Sequence, residues 1–325
     1  NEIIRRLEQK YSECSSLAEL VQKADKLDRL DKIKSVIGPS NGRELISRLI
    51  LRHIHGNDLD RRALEVAKVN IWLEAIKLSP SEFRFDRLPN NVEHILPDLR
   101  MNFGNGDSLV SLSFEDVINH LASNYKKELS ELSKLRHEYL TDPTNPSLVE
   151  RIESIKQQMR NTLDSEFEKY LYGKSLIDNK TGKKTDLTKL SELAKPFHWC
   201  LEFWFAYFDD NGEPLTSESS GFDVIIGNPP YGRIKQLVKE KDVKDIYSEY
   251  YDLAYSYQRG NYNYYKLFLE RCFTLLKESG YFSMIYPTAF LGEQDSQHLR
   301  KLLFENTQIL KILQFPEKTR VFQDV

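Results

Sequence analysis

Cysteine is scarce in this chain. Only Cys14, Cys200 and Cys272 occur among 325 residues, and no two form a CxxC pair. That spacing supports neither a zinc site nor a disulfide framework, and it suits a reducing, cytoplasmic compartment. No apolar run approaches the roughly 18 to 20 residues of a membrane-spanning helix. The opening stretch NEIIRRLEQK has no signal-peptide core, so no membrane association is expected. A dominant charge of one sign is also missing: 46 Lys and Arg against 49 Asp and Glu leave a formal net charge of -3. This argues against a protein that coats nucleic acid nonspecifically, but leaves room for a local basic surface. The length allows two or three domains, and an apolar fraction of 40% is ordinary for a globular protein. The chain begins without Met, in mid-helix register, and reads as part of something longer.

The most informative stretch is GFDVIIGNPPYGR, residues 221–233. Phe222, Val224, Ile225 and Ile226 make a short apolar run of the kind found in central parallel strands buried on both faces. Gly227 allows a sharp turn at the carboxyl end, which in open α/β sheets is where ligands sit. Asn228-Pro229-Pro230-Tyr231 follows at once. The two prolines fix φ and remove two amide donors, so the loop is stiff and offers carbonyl oxygens. Asn228 adds a side-chain oxygen, the Pro229 carbonyl a second acceptor, and Tyr231 a flat face for a planar ring. Such a loop accepts hydrogen bonds from a substrate amine.

Around this loop, β and α patterns alternate. Residues 1–52 read as amphipathic helix, broken at Gly38-Pro39-Ser40-Asn41-Gly42. Residues 52–58 predict a short strand ending in an acid, and Ala63 to Leu78 a helix. Val92 to Leu96, and then Asn102 to Leu109, read as strand or strand end, the second with a glycine-rich turn and Asp107. Residues 114–171 carry two charged helical stripes, one through Leu121, Leu129, Leu132 and Leu135, the other through Ile152, Ile155, Met159, Leu163 and Phe167. Asp142-Pro143-Thr144-Asn145-Pro146 separates them, which predicts an inserted antiparallel hairpin, with coiled-coil dimerisation as the alternative. The lysine-rich stretch 173–189 is a solvated loop or a basic patch. Phe197 to Phe205 is dense in aromatics that suit core and lining. Tyr231 to Tyr265 reads as a mobile tyrosine-rich loop, followed by a helix at Tyr264 to Leu276, a strand at Gly280 to Pro287, a helix at Ser296 to Glu305 and a final strand at Ile309 to Phe315. The expected fold class is therefore α/β, a doubly wound sheet with an inserted helical hairpin. Three parts follow: 1–113 as N-terminal helices and first half of the core, 114–195 as hairpin and lysine-rich loop, 196–325 as second half.

The tetrapeptide and its setting resemble the S-adenosylmethionine-dependent amino-methyltransferases, whose [DNS]-P-P-[YFW] loop holds the nitrogen to be methylated. Within them the chain is most similar to the N6-adenine DNA methyltransferase module of restriction-modification enzymes, especially large single-chain ones that also carry a nuclease. The resemblance runs from about His53 to the C-terminus apart from the hairpin, and implies a Rossmann-like sheet. It also implies S-adenosylmethionine as methyl donor, double-stranded DNA as partner, and nuclease and specificity domains in the same parent chain. It assigns Asp58 in HIHGNDLD to the ribose hydroxyls of the cofactor, with Asp60 as competitor or helix N-cap. Asp107 in GNGDSL would meet the cofactor's adenine amine, unless it is only an Asx turn. Asn228, Pro229, Pro230 and Tyr231 would hold the target base, and Phe322 its second wall, with Phe315 and Phe290 as alternatives.

In one respect the chain departs from the family. The glycine-rich loop of the F-x-G-x-G type that cradles the methionine end of the cofactor is absent, and Gly38 to Gly42 lacks a preceding strand and sits too close to Asp58. Truncation upstream is the expected reason. Two rival functions remain: methylation of protein glutamine or ribosomal RNA guanine by the same loop, and a noncatalytic DNA-binding scaffold.

Overall fold

Two short parallel strand pairs organise the chain in its computed structural model, which describes residues 49–78, 98–143, 145–174, 185–232, 240–258 and 262–315. In the first pair β1 (Gly56–Asp58) lies beside β2 (Phe103–Asn105), with Asp58 opposite Asn105. In the second, β3 (Phe222–Gly227) lies beside β4 (Leu276–Met284), with Gly227 opposite Met284. Among the described residues the architecture is mixed α/β, mostly helical, with small parallel sheets. The continuous doubly wound sheet expected above is present only as these two pairs.

Helix α1 (Arg61–Leu78) follows β1 directly. After β2 comes α2 (Phe114–Asn124), capped by Ser113, whose Oγ accepts from the Asp116 N–H at 3.1 Å. Two longer helices follow, α3 (Lys126–Thr141) and α4 (Pro146–Lys174). The Pro-bearing turn between them works as the spacing suggested: Pro146 takes the first helical position, where its missing N–H costs nothing, and Asn145 Oδ1 accepts from the Ser147 N–H at 3.1 Å. Leu129, Leu132, Leu135 and Tyr139 of α3 are buried, as are Ile152, Met159, Leu163 and Phe167 of α4. The first stripe is broken at Tyr125, so Leu121 belongs to α2 and the expected pair of helices is three. All three share one core with Ile50, Leu109, Val110, Leu187, Leu201, Tyr250 and Leu267.

Short helices α5 (Lys189–Leu193) and α6 (Trp199–Glu202) lead to β3. Beyond the tetrapeptide come α7 (Lys241–Ala254), α8 (Tyr264–Leu275) and, after β4, α9 (Gln297–Asn306). Helices α8 and α9 match their predicted spans closely, while β4 starts at Leu276 and includes Ser279 at φ 62°. Three residues of β3, Phe222 to Val224, run alongside six of β4 there, Leu276 to Tyr281.

Four expectations are corrected. The tyrosine-rich segment is not a mobile loop throughout: α7 buries Tyr250 and Tyr251, and Tyr255 and Tyr262 are buried after it. Strand β3 is not buried on both faces. Val224 is 46% exposed and Ile226 79%, because β3 pairs only with β4 and nothing described covers those side chains. Residues 309–315 form no strand; Ile309, Leu310, Ile312, Leu313 and Phe315 are exposed, since no described strand offers them an edge. The strand expected from Arg52 is shorter: residues 49–53 are helical and pairing begins at Gly56. The helical reading of 1–48, with Gly38 to Gly42, lies outside the described residues, as do Val92 to Leu96, lysine-rich residues 175–184 and Phe322.

Candidate active site

Asp58 is the last residue of β1 and is exposed. Its Oδ1 accepts from the Asp60 N–H at 2.8 Å, while Asp60 Oδ1 accepts from the Arg62 N–H at 2.8 Å at the start of α1. The two acids thus divide the work: Asp60 caps the helix, and Asp58 turns outward at the strand end. Asn105 fixes this turn from β2, its Nδ2 donating to the Asp58 and Leu59 carbonyls at 3.0 and 2.9 Å. Leu59, between the acids, is 63% exposed, an apolar surface beside a carboxylate that periodicity did not flag.

Asp107 follows β2 and sits in a loop held at nearly every polar backbone atom. Its own Oδ1 accepts from the Leu109 N–H at 3.0 Å, the Asx turn anticipated as the alternative, and its N–H donates to the Lys195 carbonyl at 2.7 Å. Asn57 Nδ2 reaches the Gly106 carbonyl at 3.0 Å and Ser108 Oγ at 2.7 Å, and Trp199 Nε1 the Ser108 carbonyl at 3.2 Å. Burial pushes the Asp107 carboxyl above its ordinary range, opposed by the Leu109 N–H and by the charge of Arg271. Gly104 in β2 is required by close approach, for a Cβ there would stand 2.3 Å from the Phe197 ring. Phe197, Phe203 and Trp204 are buried, as the aromatic density suggested.

Asn228 leaves the carboxyl end of β3 exposed to solvent, and Pro229 is buried beneath it. The Tyr231 hydroxyl donates to Asn228 Oδ1 at 2.9 Å, and the Tyr231 ring packs on the cluster of Tyr265, Leu269, Phe290, Leu299 and Leu302. Phe290 therefore belongs to the layer under Tyr231, while Phe315 stands exposed. Gly227 has no left-handed φ, so its sharp-turn explanation is replaced: a Cβ there would meet Met284 Sδ at 2.5 Å, and glycine permits that approach.

The two parallel pairs are tied together at their amino ends. There the His55 and Phe222 rings lie 5.5 and 5.7 Å from the ring of Phe203. Beyond the carboxyl end of β3, the Tyr264 N–H donates to the Gly232 carbonyl at 3.2 Å, just past the tetrapeptide. Burial, with the charge of Asp107 added, pushes the Tyr264 phenol up to about 12. Helix α8 thus starts directly against the loop that follows Asn228. A separate polar cavity of about 320 Å³ lies between β2 and α4, lined by Asn105, Lys156, Arg160, Lys195 and Glu202 among others. Its buried charges satisfy one another, with Glu202 bonded to both Lys156 and Arg160. Among the described residues no His, Cys, Asp and Glu cluster could hold a metal ion, and no helix is long and apolar enough to cross a membrane.

Residues 52–322 match the Eco57I restriction-modification methylase family. The chain belongs to that family. It is 24% identical over 320 residues to RM.MjaORFECS2P of Methanocaldococcus jannaschii, by name a type II restriction enzyme and methyltransferase, covering 82% of this chain and 24% of that protein. It is 38% identical over 104 residues to the type II restriction enzyme and methyltransferase RM.Eco57I of Escherichia coli, covering 31% of this chain and 10% of the other. It is 33% identical over 118 residues to the type II methyltransferase M.HincII of Haemophilus influenzae, covering 35% and 22%. The chain thus spans about a quarter or less of these relatives. No solved structure matches it. Within the Eco57I family frame, the tyrosines after the tetrapeptide and Arg271 are the polar groups that sequence reasoning missed. Ile246, Tyr250 and Tyr251 at i, i+4 and i+5 were the available helical signal.

Proposed function

We propose that this chain is the catalytic part of an S-adenosylmethionine-dependent DNA methyltransferase that modifies the N6 amine of adenine within a restriction-modification system. The observation that carries the reading is the shared placement of Asp58, Asp107 and Asn228 at or just past the carboxyl ends of parallel strands, in two pairs joined at their amino ends through Phe203. Family membership and the names of the relatives support the same activity.

The residues fit such a cofactor. Asp58 presents a carboxylate suited to two adjacent hydroxyls, Leu59 an apolar face, and Asp107 an acceptor in a prearranged loop suited to an aromatic amine. When bound, the cofactor supplies an electrophilic methyl group on a sulfonium. The chain's own work is to bring the amine to it. A base inside a duplex is out of reach, so the adenine is extruded at a cost of a few kcal/mol, and stacking on Tyr231 returns roughly 1 to 3 kcal/mol of that. Asn228 Oδ1 and the Pro229 carbonyl accept from the amine and aim its lone pair, a gain in orientation as well as electrostatics. Phe322 is our assignment for the opposing wall.

We read the two strand pairs as flanks of one doubly wound sheet. Because His55 and Phe222 share Phe203, their rings are at most about 11 Å apart, which leaves room for no more than one intervening strand at the ~4.8 Å spacing of neighbours. The exposed side chains of β3 suit a strand that expects more company. The three-part division at 113/114 and 195/196 belongs to this reading, with the helical hairpin inserted between the halves. Double-stranded DNA is the proposed partner, with nuclease and specificity domains in the parent protein.

The test is product analysis. Duplex DNA methylated by the complete protein, digested to nucleosides and separated by mass, should yield N6-methyladenine. Methylated glutamine in a protein or methylated guanine in RNA, with unmodified DNA, would favour the rival reading.

A further inference from the structure

The loop that carries Asp107 is gripped from behind by groups that arrive long after it in sequence. The Tyr255 hydroxyl donates to the Leu109 carbonyl at 2.8 Å. Arg271 Nη2 donates to that Tyr255 hydroxyl at 2.9 Å and to the Leu109 carbonyl at 3.3 Å. Two residues further along, the Tyr250 hydroxyl accepts from the Ser111 N–H at 2.9 Å and donates to the Ser111 carbonyl at 2.7 Å. Arg271, Tyr250 and Tyr255 are buried, as are Leu109 and Val110. A guanidinium taken out of water and aimed at one carbonyl and one hydroxyl is an expensive way to hold a loop. Leu109 is also the residue whose N–H binds Asp107 Oδ1 at 3.0 Å, so a grip on its carbonyl restrains, through one Cα, the backbone that holds that carboxylate.

We propose that Tyr255 and Arg271 are positioning residues that aim Asp107 at the exocyclic amine of the cofactor's adenine, so that selection for a 6-aminopurine depends on groups that never touch it. This deepens the reading of Asp107 given above and rests on it. The same helix that carries Arg271 donates its Tyr264 N–H to the Gly232 carbonyl, so one rigid element sets both the cofactor acid and the target loop. Arg271 also supplies the positive charge that opposes the effect of burial on Asp107.

The test compares two probes in the complete protein: S-adenosylhomocysteine, and its analogue with hydrogen in place of the 6-amino group. The wild type should prefer the amino form by about tenfold or more, since a site built to pair with an N–H rejects the ligand that lacks it. Tyr255→Phe keeps the ring and removes only the hydroxyl; it should cut that preference to about threefold or less, chiefly through the amino form. Arg271→Lys, which cannot reach both oxygens in the same way, should act in the same direction. Equal weakening of both probes by Tyr255→Phe would mean that the hydroxyl serves only to hold the fold, and an unchanged preference in both variants would also overturn the proposal. A wild type that binds the two probes equally would instead remove the reading of Asp107, a separate failure.

Discussion

The Tyr231 hydroxyl donates to Asn228 Oδ1 across 2.9 Å, joining the first and last residues of the tetrapeptide. That bond settles which way the amide points. With its oxygen engaged by Tyr231, one lone pair remains for an incoming amine. The ring rests against the cluster that contains Tyr265 and Phe290, and so presents a supported face.

Tyr231→Ala should therefore weaken capture of the extruded base by roughly 1 to 3 kcal/mol, one stacking contact. Tyr231→Phe keeps the face and should be mild. A fluorescent base analogue at the target position reports extrusion directly. Equal extrusion by wild type and the Ala variant would show that the base stacks elsewhere.

The cavity beside β2 gives a stability prediction. Glu202 Oε1 accepts from Arg160 Nε at 2.7 Å and its Oε2 lies 2.8 Å from Lys156 Nζ. Burial alone would raise this carboxyl; Lys156 and Arg160 overcome it and bring it down to about 2. A depressed acid stabilises the folded state above its unfolded pKa of about 4.3, and the contribution is lost as pH falls from there toward 2. Glu202→Gln should cost about 3 to 5 kcal/mol near neutral pH by leaving buried cations short of charge. Thermal melts over the acid range should show the variant losing less than wild type as pH drops, and parallel curves would contradict this account.

Cofactor affinity of the 325-residue chain should be low. Asp58 and Asp107 suit the ribose and adenine, but no F-x-G-x-G loop in this sequence brings backbone N–H groups to the methionine end. Titration with S-adenosylmethionine in a calorimeter should give little heat. Tight binding would mean that another loop performs that task.

The order of these elements was legible because each carries a local signature: apolar run then N-P-P-Y, strand then acid then helix, Pro-Ser after Asn145. What was illegible depends on distant partners. Val224 and Ile226 have the composition of a central strand, yet whether they are covered depends on neighbours that no local pattern encodes. Ile309 to Phe315 has strand composition as well, and with no described edge to join it stays unpaired and exposed. The tyrosines of α7 looked polar and loose, but tyrosine buries a ring while its hydroxyl finds a backbone partner, as Tyr250 does at Ser111. Gly104 and Gly227 read as turn formers, and their actual reasons, the Phe197 ring and the Met284 thioether, lie 93 and 57 residues away in sequence.

Asn228 carries the central claim, and one substitution addresses it. In the complete protein, Asn228→Ala should abolish transfer of labelled methyl groups to duplex DNA while leaving the duplex binding isotherm largely intact, because Asn228 acts on the amine and not on phosphates. Near-normal methyl transfer by this variant would contradict the assignment of the Asn228 loop as the site of reaction.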